Sequence, residues 1–264
     1  MLRRTGACAV ALVVASALAE CTSGVRQPIA STTSTAPSST RRRASTTSPI
    51  PAWRTIGRSV QGRPLRALTL GHGARRVLWI GGIHGDEPQG RVATASLPEA
   101  FRRHRLGGSV TLTILEDANP DGRALGTREN ANDIDLNRDF PATNFDRSNP
   151  ENGGTPLSQP ESRALYALIQ RTKPDLVVSC HAFRGDHFVN FDGPARDLAR
   201  RFSRLSGYRV EASGELGFGT PGSLGTLVGV DLGTAVITIE FPFNSDPTAD
   251  WQTIRSAALD IIGG

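Results

Sequence analysis

Short runs of apolar residues recur along this chain with polar, helix-like stretches between them, and they constrain the fold more than anything else in the sequence. Val77-Leu78-Trp79-Ile80, Leu176-Val177-Val178-Ser179-Cys180 and Ala235-Val236-Ile237-Thr238-Ile239 are nearly continuous, and Val110-Thr111-Leu112-Thr113-Ile114-Leu115 adds a fourth run. A strand apolar on both faces has to be covered on both faces, so such runs belong inside a sheet sandwiched by helices. The pattern predicts a single α/β domain: a mixed central β-sheet with helices on both faces. Helices are expected over 89–104, 158–171, 193–206, 222–229 and 248–262. Ser158 and Glu161 have the spacing of a capping box for the second of these. Gly71-His72-Gly73 separates two strand-like runs, 65–70 and 77–83, and reads as the turn of a hairpin. The polar stretch from Asp117 to Leu157 is long for a structureless loop in a compact domain, and loops of that length usually carry function.

The first fifty residues read differently. Met1-Leu2-Arg3-Arg4 is a charged start, 6–19 is an apolar run too short to span a bilayer, and Ala17-Leu18-Ala19 closes it with small residues. This is the pattern of an export signal over 1–21. Two processing sites are open: cleavage after Ala19, or cleavage before Cys21 with lipidation of that cysteine. Glu20 stands where a lipoprotein signal normally has a small residue. Residues 22–50 are rich in Ser, Thr, Pro and Arg with almost nothing apolar to bury, and are expected to form a disordered linker. The folded domain is expected over 51–264. Six Arg and one Glu in residues 1–50 account for the whole net charge of +5, leaving 24 basic and 24 acidic residues in the domain. The basic character is thus a property of the tail, which argues against a nucleic-acid partner. Cys8 lies in the signal, so the exported chain retains Cys21 and Cys180. One of these is in the tail and the other in an apolar strand, so no disulfide is expected.

The chemistry gathers at strand ends. Gly81-Gly82-Ile83-His84-Gly85-Asp86-Glu87-Pro88 follows the 77–80 run and precedes a helix, at the mouth of the sheet where α/β folds keep their sites. An imidazole and a carboxylate three residues apart can turn toward one ion, and zinc accepts N and O donors of this kind. His181 closes the 176–180 run and is the third candidate donor, ahead of His187. Glu240 closes the last run, and a carboxylate there is costly to bury unless it is paired, hydrogen-bonded or beside a cation.

In order along the chain, His84-Gly85-Asp86-Glu87, Asn119-Pro120-Asp121-Gly122, Asp135-Leu136-Asn137-Arg138-Asp139-Phe140-Pro141, His181, Thr220-Pro221-Gly222-Ser223 and Glu240-Phe241-Pro242 resemble the zinc metallocarboxypeptidases. Within that family they are similar to the small bacterial branch of murein peptide amidases, which cleave γ-D-glutamyl-diaminopimelate bonds. The resemblance implies one Zn2+ ion held by His84, Glu87 and His181, with Glu240 as general base and Arg128 stabilising the oxyanion. It implies that Asn137 and Arg138 hold the carboxylate of the residue released. A cell-wall stem peptide is the implied substrate, and a monomer is expected. One departure is Phe218, which stands where relatives carry Tyr in the loop before the last strand. Two other readings are an aspartoacylase-like zinc deacylase, which shares the first motif and Asp135-Leu136-Asn137-Arg138, and a catalytically inactive wall-binding module.

Overall fold

The structure, a computed structural model, describes residues 51–213 and 220–264. Eight strands form one mixed sheet in the order β1-β2-β4-β3-β5-β8-β6-β7 among the described residues. Chain order gives β1 (Arg54–Arg58), β2 (Pro64–Gly71), β3 (Arg75–Ile80), α1 (Pro88–Arg103), β4 (Val110–Leu115), α2 (Pro120–Leu125) and α3 (Pro160–Thr172). It continues with β5 (Leu176–Phe183), β6 (Phe188–Asp192), α4 (Arg196–Ser206), β7 (Arg209–Ala212), β8 (Ala235–Pro242) and α5 (Pro247–Gly263).

The four apolar runs are the centre of this sheet. Strands β4, β3, β5 and β8 are mutually parallel and adjacent. Because side chains alternate along a strand, each central strand feeds two cores. Val77 and Trp79 join α1, α4 and α5 on one face, while Leu78 and Ile80 join α3 and the loops carrying Leu136, Phe140 and Leu224 on the other. The mixed sheet with helices on both faces is therefore as expected from the sequence.

Three local expectations are corrected. Strands β2 and β3 do not form a hairpin: β4 lies between them, antiparallel to β2 and parallel to β3. Both flanks of Gly71-His72-Gly73 are open to a third strand because β3 needs a partner on each edge, and the turn instead bonds to the 107–109 segment. Second, no capping box starts α3; its N-cap is Gln159, with no side-chain cap. Buried Asp139, from a different segment, takes that role by accepting from the amides of Ser158 and Gln159, both at 2.9 Å, and from the hydroxyls of Ser158 and Ser162. Third, the long polar stretch contains α2, and β1, β6 and β7 are short strands whose mixed polar and apolar residues gave no continuous apolar run. The 222–229 helix is present but wider than an α-helix, with the Leu232 amide reaching back to the Leu227 carbonyl at 3.0 Å. Phe218 and residues 1–50 lie outside the described residues.

Two glycines let the site loops close on each other. Gly82 has φ +67°, a left-handed conformation. A Cβ at Gly85 would overlap the backbone of Gly122, so the metal-motif turn and α2 touch main chain to main chain.

Asp139 ties the 135–141 motif to α3, and its removal strands the buried Gln159 amide and the partly buried Ser158 amide. Asp139→Ala is expected to cost about 2–4 kcal/mol. Urea unfolding measures this, and a change under about 0.5 kcal/mol would show that the ties are dispensable.

Candidate active site

Every candidate residue named from the sequence lines one cleft of about 240 Å³: His84, Glu87, Arg128, Asn137, Arg138, His181 and Glu240. The other histidines are elsewhere: His72 bonds the Gly107 carbonyl, His104 caps the end of α1, and His187 stacks on Tyr208 at 4.2 Å. The cleft sits at the carboxyl ends of β3, β5 and β8, where strands stop and buried backbone gives way to loops. His84 and Glu87 come from the turn after β3, with Pro88 fixing the first turn of α1. On the parallel pair β5 and β8, His181 and Glu240 are register partners and stand side by side.

Three donors converge. His84 Nδ1 lies 2.8 Å from Glu87 Oε1 and 3.0 Å from His181 Nδ1, and His181 Nδ1 lies 3.3 Å from Glu87 Oε2. All three side chains are buried. The His84 Nε2–H donates to Asp135 at 3.2 Å, which leaves Nδ1 with a lone pair. That lone pair faces a carboxylate and a second imidazole nitrogen, while Glu87 Oε2 is buried with no hydrogen-bond partner. Lone pairs crowded this way are stable only around a positive charge. The protein's own field favours one, since the carboxylates of Glu87 and Asp135 outweigh burial and push His84 up to about 9. Glu87 is held well below the usual carboxylate range: although burial works against it, His84 and His181 win. Two nitrogens, one carboxylate and room for solvent or substrate fit zinc in a hydrolytic site.

Around this centre the cationic groups are sorted by their partners. Asp135 accepts from Arg128 through Nε at 3.2 Å and Nη2 at 3.0 Å, and from the Asn137 amide at 2.8 Å, as well as from His84. One carboxylate thus orients both a candidate metal ligand and a cation beside it. Asn119 supports this geometry without lining the cleft: its Oδ1 caps α2 and its Nδ2 donates to the Arg128 carbonyl at 3.2 Å. Arg138, by contrast, donates to the Asn137 carbonyl and forms an ion pair with no carboxylate among the described residues. Burial, with Arg128 adding to it, pulls its pKa down. Asn137 Oδ1 accepts from the Leu224 amide at 2.9 Å, so its NH2 is free to donate into the cleft. Together Asn137 and Arg138 offer an amide and a guanidinium, donor chemistry suited to an anion.

Glu240 has the opposite electrostatics. Burial, then the Glu87 carboxylate, pushes its carboxyl up to about 8, against the pull of His84 and Arg128. A carboxyl poised near neutrality suits proton transfer. Its strand end is pinned by Gln89, whose Nε2 donates to the carbonyls of Pro242 at 3.0 Å and Phe243 at 3.1 Å.

Sequence reasoning missed the cleft's inner wall. Asn190, Asp192, Ser213 and Thr238 line it, and burial raises the Asp192 carboxyl. The signal was present as alternation: Phe188, Asn190 and Asp192 lie on one face of β6. Asp135 was visible in its motif but had no assigned task, because its partners are far away in sequence.

The profile of the zinc carboxypeptidase family matches residues 39–211. The chain belongs to the zinc carboxypeptidase family, and is a hydrolase of that zinc-dependent class. Murein peptide amidase A of Escherichia coli strain K12 is 34% identical over 246 residues, covering 83% of this chain and 94% of the relative. Murein peptide amidase A of Vibrio campbellii is 30% identical over 207 residues, covering 70% and 77% respectively. The crystal structure of murein-tripeptide amidase from Escherichia coli O157 superposes with a TM-score of 0.65 at 28% identity, covering 81% of this chain and 93% of that one.

Asp135→Asn keeps the shape and removes the charge that orients His84 and Arg128. Zinc affinity, read by competition with a chromogenic chelator, is expected to fall about 10- to 100-fold. An unchanged affinity would remove Asp135 from the support of the metal centre.

Proposed function

We propose that this chain is an exported zinc-dependent amidase that hydrolyses the γ-D-glutamyl-diaminopimelate bond of peptidoglycan peptides. One observation carries the reading: the cleft that gathers His84, Glu87 and His181 also holds Asn137 and Arg138, which would seat an anion, and a separate carboxylate, Asp192. Diaminopimelate has a carboxylate for the first and a distal amino group for the second. The murein peptide amidases of Escherichia coli and Vibrio campbellii support it by similarity.

In this reading His84, Glu87 and His181 hold one zinc ion. Bound there, zinc supplies Lewis-acid polarisation of the scissile carbonyl and acidifies the attacking water. Glu240 accepts the water's proton and returns it to the leaving nitrogen. Arg128, kept in place by Asp135, donates to the charge growing on the carbonyl oxygen. Arg138 and Asn137 seat the free carboxylate, which limits the enzyme to bonds next to a carboxyl end. A second reading is favoured by Asp192 alone: a carboxypeptidase releasing terminal Lys or Arg, whose cation that carboxylate would also receive. Residues 1–21 would serve as the export signal and 22–50 as a tether. Retention in the membrane fraction that disappears with Cys21→Ala would establish the lipid anchor; an unchanged distribution would favour cleavage after Ala19.

The deciding assay is release of free diaminopimelate from L-Ala-γ-D-Glu-meso-diaminopimelate, stopped by a chelator and restored by zinc, with C-terminal Lys and Arg peptides run in parallel. Hydrolysis of the latter alone would move the substrate to the second reading. Glu240→Gln is expected to retain zinc and lose about 10²- to 10⁴-fold in kcat. Because the Glu240 pKa is raised, the base form is lost as pH falls. Wild-type kcat/KM should therefore decline toward acid on a limb above the ordinary carboxylate range, with bound zinc drawing it below about 8. A flat acid side would remove Glu240 as the base.

A further inference from the structure

The floor of the cleft is a patch of sheet whose register fixes the order of its side chains. Glu240 and Thr238 point to the cleft face of β8, and across the antiparallel pair with β6 they stand opposite Phe188 and Asn190. One pair further down, Asp192 is opposite Val236, which is buried in the core, so the floor ends there. Thr238 and Asn190 thus form a row one pleat repeat, roughly 7 Å, from the row of Glu240 and His181. The wall that carries Asn137 closes on the same end: Asn137 accepts from the Leu224 amide, and a Cβ on the next residue, Gly225, would collide with the Asp192 carboxylate. A residue with its nitrogen at the metal triad and its carboxylate on Asn137 and Arg138 is left with this floor for its side chain.

Three polar groups there are unspent. Asn190 is 5% exposed, and its Oδ1 accepts from the Ser213 hydroxyl at 2.6 Å, which turns its NH2 away from that bond. Neither this NH2 nor the Thr238 hydroxyl has a hydrogen-bond partner among the described residues, although both residues line the cleft. Asp192 has no cationic partner among them either. Donors left unbonded in a buried wall cost free energy, and a ligand that supplies acceptors removes that cost. Two donors beside an uncompensated acid are the complement of an amino-acid head group, which carries a carboxylate and an ammonium on one carbon.

Lysine and diaminopimelate differ at that carbon. Both end in an amino group beyond three methylenes, a reach comparable with the pleat repeat from the Glu240 row to the Thr238 row. Only diaminopimelate adds a second carboxylate there. We propose that Asn190 and Thr238 bind the distal carboxylate of diaminopimelate, beside its amino group on Asp192, and so select this residue over lysine. The inference rests on the diaminopimelate reading above and adds the groups that separate it from the lysine reading.

The test uses the zinc-loaded full chain and three tripeptides that differ only in the last residue. L-Ala-γ-D-Glu is joined to meso-diaminopimelate, to the same residue with its distal carboxylate converted to carboxamide, or to L-lysine. Wild-type kcat/KM is expected to favour the diaminopimelate peptide over each of the others by about tenfold or more, the scale of one charge-assisted contact. Thr238→Val keeps the shape and should reduce that ratio several-fold. Asn190→Asp sets a second acid against the carboxylate and should reverse the ratio, with zinc content unchanged in both variants. Equal wild-type rates on the three peptides, or variants that slow all three in the same proportion, would overturn the role of Asn190 and Thr238 and leave the amidase reading standing. Wild-type cleavage of the lysine peptide alone, or of none, would overturn both.

Discussion

Strands β3, β5 and β8 lie deep in the sheet with apolar contacts on both faces, and that burial dictates where polar chemistry can exist. A side chain needing water, a cation or a substrate has no place along these strands until they end. His84 and Glu87 follow β3, His181 is near the end of β5, and Glu240 is near the end of β8. Parallel pairing brings those ends to one level, so side chains from three segments remote in sequence meet. The register of β5 with β8, which makes His181 and Glu240 neighbours, is thus as much a part of the site as the side chains are.

Charge balance then separates the tasks. Asp135 neutralises Arg128 and steadies His84, while Arg138 has no carboxylate partner among the described residues. Two arginines in one cleft acquire different chemistry because only one has a resident carboxylate. The same contrast divides the acids: Glu87 is surrounded by imidazoles and stays ionised, whereas Glu240 feels burial and the charge of Glu87 and holds its proton more tightly.

Much of this was legible in the sequence, for a physical reason. Interior parallel strands are apolar without interruption, so 77–80, 110–115, 176–180 and 235–239 declared both the sheet and its two covered faces. Metal donors and base at strand ends followed. What was hidden depended on distant partners. The turn at Gly71-His72-Gly73 looks like a hairpin locally, and only the insertion of β4 reveals otherwise. Ser158 has the spacing of a cap, yet Asp139 takes over the start of α3. Strand β6 is short and interrupts its apolar residues with Asn190 and Asp192, so it offered no continuous apolar run and the inner wall it supplies went unread.

Gln89 gives the site a mechanical property. It lies two residues beyond Glu87 on the same turn into α1, and its amide grips the carbonyls of Pro242, the last residue of β8, and of Phe243 just past it. The turn that carries Glu87 and the strand end that carries Glu240 are therefore clasped to each other. Motion that widens the cleft without breaking this clasp has to come from the surrounding rim, leaving the spacing between the two arms as it is.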